Sequence, residues 1–110
     1  MKVHLIKRRA VRDFIIHHAS GKKSFEIWLT VLKSADWDKP TDITKTFASA
    51  DLLGNASDRV VFNIGGNNYR IISKYFFGEN RVHLYIKWIG THAEYNELCK
   101  KLDQYRIDQY

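Results

Sequence analysis

Val60 to Tyr95 reads VVFNIGGNNYRIISKYFFGENRVHLYIKWIGTHAEY. Three runs of β-branched and aromatic residues alternate here with two clusters of turn formers, Gly65-Gly66-Asn67-Asn68 and Gly78-Glu79-Asn80. Gly and Asn tolerate the positive φ angles that tight hairpin turns require, so the stretch predicts three antiparallel strands with short turns. With Gly66-Asn67 at the centre of the first turn, Asn63 faces Arg70 and Val61 faces Ile72. With Glu79-Asn80 at the centre of the second, Arg70 lies opposite Ile89, Ile72 opposite Lys87 and Lys74 opposite Tyr85. Successive side chains alternate faces. One face then collects Asn63, Arg70, Lys74, Tyr85 and Lys87 with Val61, Ile72, Phe76 and Ile89. The other carries Val60, Phe62, Ile64, Tyr69, Ile71, Tyr75, Phe77, Val82, Leu84, Ile86 and Trp88. The second face is the more apolar and is expected to meet the core. A slip of one residue in the second hairpin would exchange the faces of the last strand.

The last strand is expected to end at Gly90. Thr91-His92-Ala93-Glu94 fits a capping box, in which the Thr hydroxyl accepts from the third helical amide and the Glu carboxylate reaches back. A helix beginning there carries His92 and Tyr95 on one side of its first turn, at the end of the sheet where Arg70 sits. This helix is expected to continue from Glu94 through Leu98 to Leu102.

Outward from this stretch, the N-terminal half reads as helical. Lys2 to Leu5 suits an edge strand. From about Lys7, the spacing of Val11, Phe14, Ile15 and His18 predicts an amphipathic helix, with Gly21 as its C-cap. Lys7, Arg8, Arg9 and Arg12 crowd its first turns, against the helix dipole. They form either a solvated basic face or a surface for RNA phosphates. A second helix is expected from about Lys22 to Ala35 on the stripe Phe25, Trp28, Leu29 and Leu32. The two helices would form a hairpin packed on the sheet. Ile43 to Phe47 suits a short helical turn, and Ala48 to Asp58 reads as a polar loop without a period. The tail Asp103 to Tyr110, DQYRIDQY, is polar and leaves packing, fraying and ordering by a partner all open. The order β-α-α-β-β-β-α gives an α+β domain spanning residues 1–110, with a twisted, largely antiparallel sheet.

The chain has 110 residues, 45% hydrophobic and 14% aromatic, enough for one modest core. Its net charge of +6 is compatible with a polyanionic partner such as RNA or DNA. The single cysteine, Cys99, excludes an internal disulfide framework and a multi-cysteine zinc site, and fits a reducing compartment. No run suits a signal peptide or a membrane span, so a cytoplasmic protein without membrane contact is expected. The five histidines form no ligand pattern, and neither a metal nor another cofactor is expected.

Arg70, Lys74, Lys87, His92 and Tyr95 combine cations, a group titrating near neutrality and a phenol, with no carboxylate pair. Such a set suits an RNA phosphodiester, which supplies its own nucleophile, the 2′-hydroxyl. The protein need only take that proton, stabilise the charge on the phosphorane and protonate the leaving 5′-oxygen. Arg and Lys match the developing charge, and His or Tyr can move the protons. The same residues also have ordinary uses: a half-buried tyrosine at a helix start, a histidine in a first turn, a strand arginine paired with an acid.

The segment NIGGNNYR followed by GTHAEY resembles HigB toxins of the RelE-like superfamily, a resemblance that extends to the basic segment KRRAVRDF and covers most of the chain. It implies the RelE-type fold, a twisted sheet with N-terminal helices against it. It also implies the toxin half of a type II toxin–antitoxin pair, a ribosome-dependent mRNA endonuclease that cuts message in the ribosomal A site by 2′-hydroxyl attack. The partners implied are a HigA-type antitoxin, the ribosome with its mRNA, and operator DNA only through the antitoxin. Arg70 matches the superfamily's strand arginine at the scissile phosphate. His92 stands where RelE places a second functional arginine, and Tyr95 matches the functional tyrosine by local position. Asn63 stands roughly where RelE has a catalytic lysine. Arg70, His92 and Tyr95 are therefore the expected catalytic residues, with Asn63, Lys74, Lys87, Arg8, Arg9 and Arg12 as RNA contacts. The alternative is a non-nucleolytic toxin of the same fold that acts by binding, on the ribosome or, like ParE toxins, on DNA gyrase.

Overall fold

A computed structural model describes residues 1–110. In chain order it contains β1 (Lys2–Ile6), α1 (Arg8–His17), α2 (Lys22–Ser34), α3 (Thr41–Thr46), β2 (Asp51–Leu52), β3 (Arg59–Ile64), β4 (Tyr69–Phe77), β5 (Arg81–Thr91) and α4 (His92–Lys100). The strands form one sheet in the order β1-β5-β4-β3-β2.

The first hairpin has the expected register. Gly65 and Gly66 both adopt positive φ, 65° and 66°, which a side chain would resist. Asn63 pairs with Arg70 and Val61 with Ile72. The second hairpin begins as expected, with the Gly78 amide donating to the Arg81 carbonyl at 3.0 Å and Lys74 opposite Tyr85. A bulge between Ile72 and Ser73 then shifts the pairing by one residue. Arg70 lies opposite Gly90 rather than Ile89, and Ile72 opposite Trp88 rather than Lys87. An extra residue on one strand reverses the facing of everything beyond it. Ile89 therefore enters the main core, and Trp88 turns to the other face to pack with Val61 and Ile72. The Lys87 carbonyl, at the bulge, accepts from the Gln109 amide at 2.9 Å.

The main core lies between the sheet and the helix layer. Val60, Phe62, Ile71, Val82, Leu84 and Ile86 meet Val11, Phe25, Trp28 and Leu32. Full burial of such side chains contributes about 1.5–3 kcal/mol each. Trp37 and Ile43, from the α2–α3 connection and α3, close the end of this layer.

Several boundaries differ from expectation. The sheet is mixed, because β1 runs parallel to β5, with His4 beside His83. Residues read as a loop supply the short strand β2 beside β3. Gly21 is not a left-handed cap. Its φ is −92°, and it is glycine because a Cβ there would lie 2.6 Å from the Tyr69 ring and 3.1 Å from that of Phe25. The Thr91–Glu94 capping box forms as read, but α4 ends at Lys100 and Leu102 turns left-handed, at φ 59°. The polar tail packs. Ile107 joins Val61, Ile72, Trp88, Tyr95 and Leu98 on the second face of the sheet.

Candidate active site

Arg70 and His92 come together where β4, β5 and the start of α4 meet. Arg70 points away from the main core, because its neighbours Tyr69 and Ile71 point into it. It is nonetheless only 6% exposed. Its guanidinium donates to the Tyr69 carbonyl at 3.0 Å, to Asn67 Oδ1 at 2.6 Å and to His92 Nδ1 at 2.8 Å. No acidic group pairs with it. A buried cation held only by neutral acceptors retains attraction for an anion.

The histidine's state follows from this contact. Arg donates only, so Nδ1 must accept and carries no proton. The ring proton of neutral His92 then sits on Nε2. Asn96 Nδ2 lies 3.3 Å from Nε2; a half-turn exchanges the two ends of the amide and would turn its oxygen to accept from the Nε2 proton. Asn96 is one helical turn beyond His92, and Asn67 lies three residues before Arg70. Both orient the pair, and neither was singled out in the sequence. The i, i+4 spacing of His92 and Asn96 was the available signal.

Tyr95 shares the first turn of α4 with His92 but makes no hydrogen bond to it or to Arg70. It packs on Trp88, with ring centroids 6.2 Å apart. Burial, reinforced by the neighbouring Cys99, pushes its hydroxyl well above the ordinary tyrosine value, while the Arg70 charge pulls the other way. The hydroxyl therefore stays protonated and suits packing and donation rather than accepting a proton.

The remaining candidates are spread over the molecule. Asn63 is half-buried on β3 beside Arg70. Lys74 is exposed further along β4. Lys87 bonds to Asp108 of the tail at 3.1 Å. Arg8, Arg9 and Arg12 lie on α1, in the helix layer across the sheet from Arg70. Arg59 was not anticipated. It is 6% exposed and donates to the Gln104 and Ile107 carbonyls at 3.2 and 2.7 Å, clamping the tail onto the sheet. Burial lowers its guanidinium from the ordinary value, and Asp108 opposes this. No three His, Cys, Asp or Glu side chains converge in a metal-holding group, and no helix is long and apolar enough to cross a membrane.

Residues 21–98 match the model of a family described as HigB_toxin, the RelE-like toxic component of a toxin–antitoxin system. Among curated proteins, the mRNA interferase toxin HigB of Escherichia coli strain K12 is 28% identical over 94 residues, 86% of this chain and 88% of that protein. The mRNA interferase HigB of Shigella flexneri shows the same identity and coverage. That of Escherichia coli O6:H1 is 24% identical over 98 residues, 89% of this chain and 93% of the relative.

Proposed function

This chain belongs to the HigB family of RelE-like toxins, and on that premise we propose that it is an mRNA interferase, an endoribonuclease that stops translation by cutting message in the ribosomal A site. A family of toxic components implies an antitoxin partner, and a HigA-type protein is the one proposed. The observation that carries the chemistry is the buried Arg70 guanidinium, paired with neutral groups and bonded to His92 Nδ1.

The contact gives the pair a sequence of action. A scissile phosphate is a stronger acceptor than an imidazole nitrogen and competes for the guanidinium. As Arg70 turns to the phosphate, Nδ1 of His92 is released and takes the proton of the 2′-hydroxyl. The O2′–P bond forms and the P–O5′ bond breaks. The departing electron pair stays on the 5′-oxygen, which takes a proton from solvent. Arg70 meets the charge that develops on the phosphorane. Tyr95 acts as a positioning residue that seats the first turn of α4, and hence His92, on Trp88. Asn63 lines the phosphate's approach beside Arg70. The products are a 2′,3′-cyclic phosphate and a 5′-hydroxyl.

The test is primer extension on a short message programmed in purified ribosomes, with naked message and the His92→Ala protein in parallel. A-site cleavage that needs both ribosomes and wild-type protein is expected. Growth arrest with intact message would refute the nuclease in favour of a toxin that acts by binding.

A further inference from the structure

The opposite end of the same sheet face carries a feature that cleavage does not use. Near the turn between β4 and β5, Phe76, His83 and Tyr85 form a row of rings on the side away from the main core. Phe76 is 59% exposed, the one Phe, Tyr or Trp of the strands that is exposed. The rings of Phe76 and His83 lie 6.0 Å apart at 33°, and those of His83 and Tyr85 6.3 Å apart at 26°. His4 of β1 meets His83 edge-on at 6.2 Å. Lys87 Nζ stands 5.8 Å from the centre of the Tyr85 ring. Lys74, Phe76, Tyr85 and Lys87 line an open hollow of about 500 Å³, with Asp58 at its rim. The exposed cations Lys2 and Arg81 face each other across the strands beside it. None of Lys2, Lys74 and Arg81 is ion-paired.

A row of part-exposed rings, inclined 26–33° to one another, among unpaired cations suits a ligand with flat heterocycles and a negative backbone. A protein partner fits less well, because Phe76 is the single strongly exposed apolar side chain on this face, and its neighbours are polar rings and charges. We propose that Phe76, His83 and Tyr85, with Lys74 and Arg81, form a stacking platform for single-stranded RNA, separate from the Arg70–His92 pair. The platform lies six residues along β4 from Arg70, about 20 Å. The intervening face is covered by α4 and the tail, through Leu98 and Ile107. RNA on the platform is therefore held away from the bond to be cut, and binding and cleavage are separable. This rests on the ribonuclease reading for the identity of the strand.

The experiment is fluorescence anisotropy of a short labelled single strand, fully 2′-O-methylated so that it cannot be cut, with the wild-type protein and three variants. Phe76→Leu and His83→Leu keep apolar volume and remove the π face, and each is expected to weaken binding about tenfold. Lys74→Gln is expected to lower the steepness of the salt dependence by about 0.7 in the log–log plot. Circular dichroism melts check that each variant is folded. A wild-type protein that does not bind the strand, leucine variants that bind as tightly as wild type, or a duplex that competes equally well would each overturn the platform. Normal ribosomal cleavage alongside any of these would leave the nuclease standing. Ring-dependent binding without cleavage would refute the nuclease alone.

Discussion

Replacing Arg70 with methionine separates a functional arginine from a structural one. Three hydrogen bonds vanish, to Tyr69, Asn67 and His92, at a net cost of about 0.5–1.5 kcal/mol each. The substitution also removes a guanidinium that is 6% exposed and has no anionic partner, whose desolvation costs several kcal/mol. These terms oppose each other and are of similar size. Asn67 is exposed, so its freed oxygen meets water. Arg70→Met is therefore expected to melt within about 5 °C of the wild type, equivalent to about 1 kcal/mol for a domain of this size. Cleavage should behave differently. Losing one preorganised stabiliser of transition-state charge lowers rate by about 10²–10³, or 2.7–4 kcal/mol. Calorimetric melting and quantitative primer extension on the same preparations measure the two effects. Inorganic phosphate should raise the melting temperature of the wild type and leave that of the variant unchanged. A variant that melts about 15 °C lower, with activity falling only as the folded fraction falls, would show that Arg70 holds the fold and would refute this account of the site.

Tyr95→Phe is expected to retain cleavage to within about tenfold, because the hydroxyl is held protonated and the ring does the seating; a loss of about 10² or more would make Tyr95 the proton donor. The same hydroxyl titrates above its ordinary value of 10.0, so its contribution to stability is complete below pH 10 and is lost as pH rises further. Urea midpoints measured from pH 9 to 11 should therefore fall less steeply in Tyr95→Phe than in the wild type. Gly90→Ala should cost about 1–3 kcal/mol in urea unfolding, since the added carbon would overlap the Trp88 ring and approach Glu94 Oε1 to 3.1 Å; unchanged stability would show that the Trp88 seat gives way easily. Removing Asp103–Tyr110 takes away the two carbonyl acceptors of Arg59, opens its guanidinium to water and strips Ile107 from the second apolar cluster, and should cost about 1.5–3 kcal/mol, mainly the lost apolar cover. Arg59→Met in the shortened chain should then change stability by only about 0.5 kcal/mol, and a large recovery would show that the guanidinium stays buried without acceptors.

What could be read from the sequence was local. The Gly65-Gly66 turn fixed the β3–β4 register because positive φ and alternating apolar residues agreed on one pairing. The α4 start was legible because a capping box needs only four residues. Gly21 was misread because its reason lies 48 residues away, in the Tyr69 ring. The strand β2 has two residues, too few for a period, and the parallel pairing of β1 leaves no local mark. The sheet bulge escaped for a more specific reason. Trp88 and Ile89 are adjacent, large and apolar, so alternation alone could not say which turns inward. Arg70 and His92 were legible as candidates, but their contact was not.

That contact depends on the bulge. Without it, Arg70 would face Ile89, and His92 would lie three residues beyond the pairing position. With it, Arg70 faces Gly90 and His92 lies two beyond. One strand residue advances about 3.3 Å. Adding that to the 2.8 Å separation of Arg70 and His92 Nδ1 puts the ring out of hydrogen-bond range. The same shift turns Trp88 outward, where Tyr95 and Leu98 pack on it and set the first turns of α4 against the sheet. It also places the Lys87 carbonyl where the Gln109 amide meets it, which helps tie the tail to β5. A single irregular residue therefore brings the reactive pair together, seats the helix that carries half of it and anchors the tail beside it. Deleting Lys87 would make Ile86 and Trp88 consecutive and give a regular ladder in which Ile72 still faces Trp88 and Arg70 still faces Gly90; what it removes is the carbonyl that accepts from Gln109 and the Lys87–Asp108 ion pair. The deletion should therefore loosen the tail and leave cleavage in place, whereas a point change at Arg70 or His92 should touch only the site; loss of cleavage in the shortened strand would show that the bulge serves the pair by more than its register.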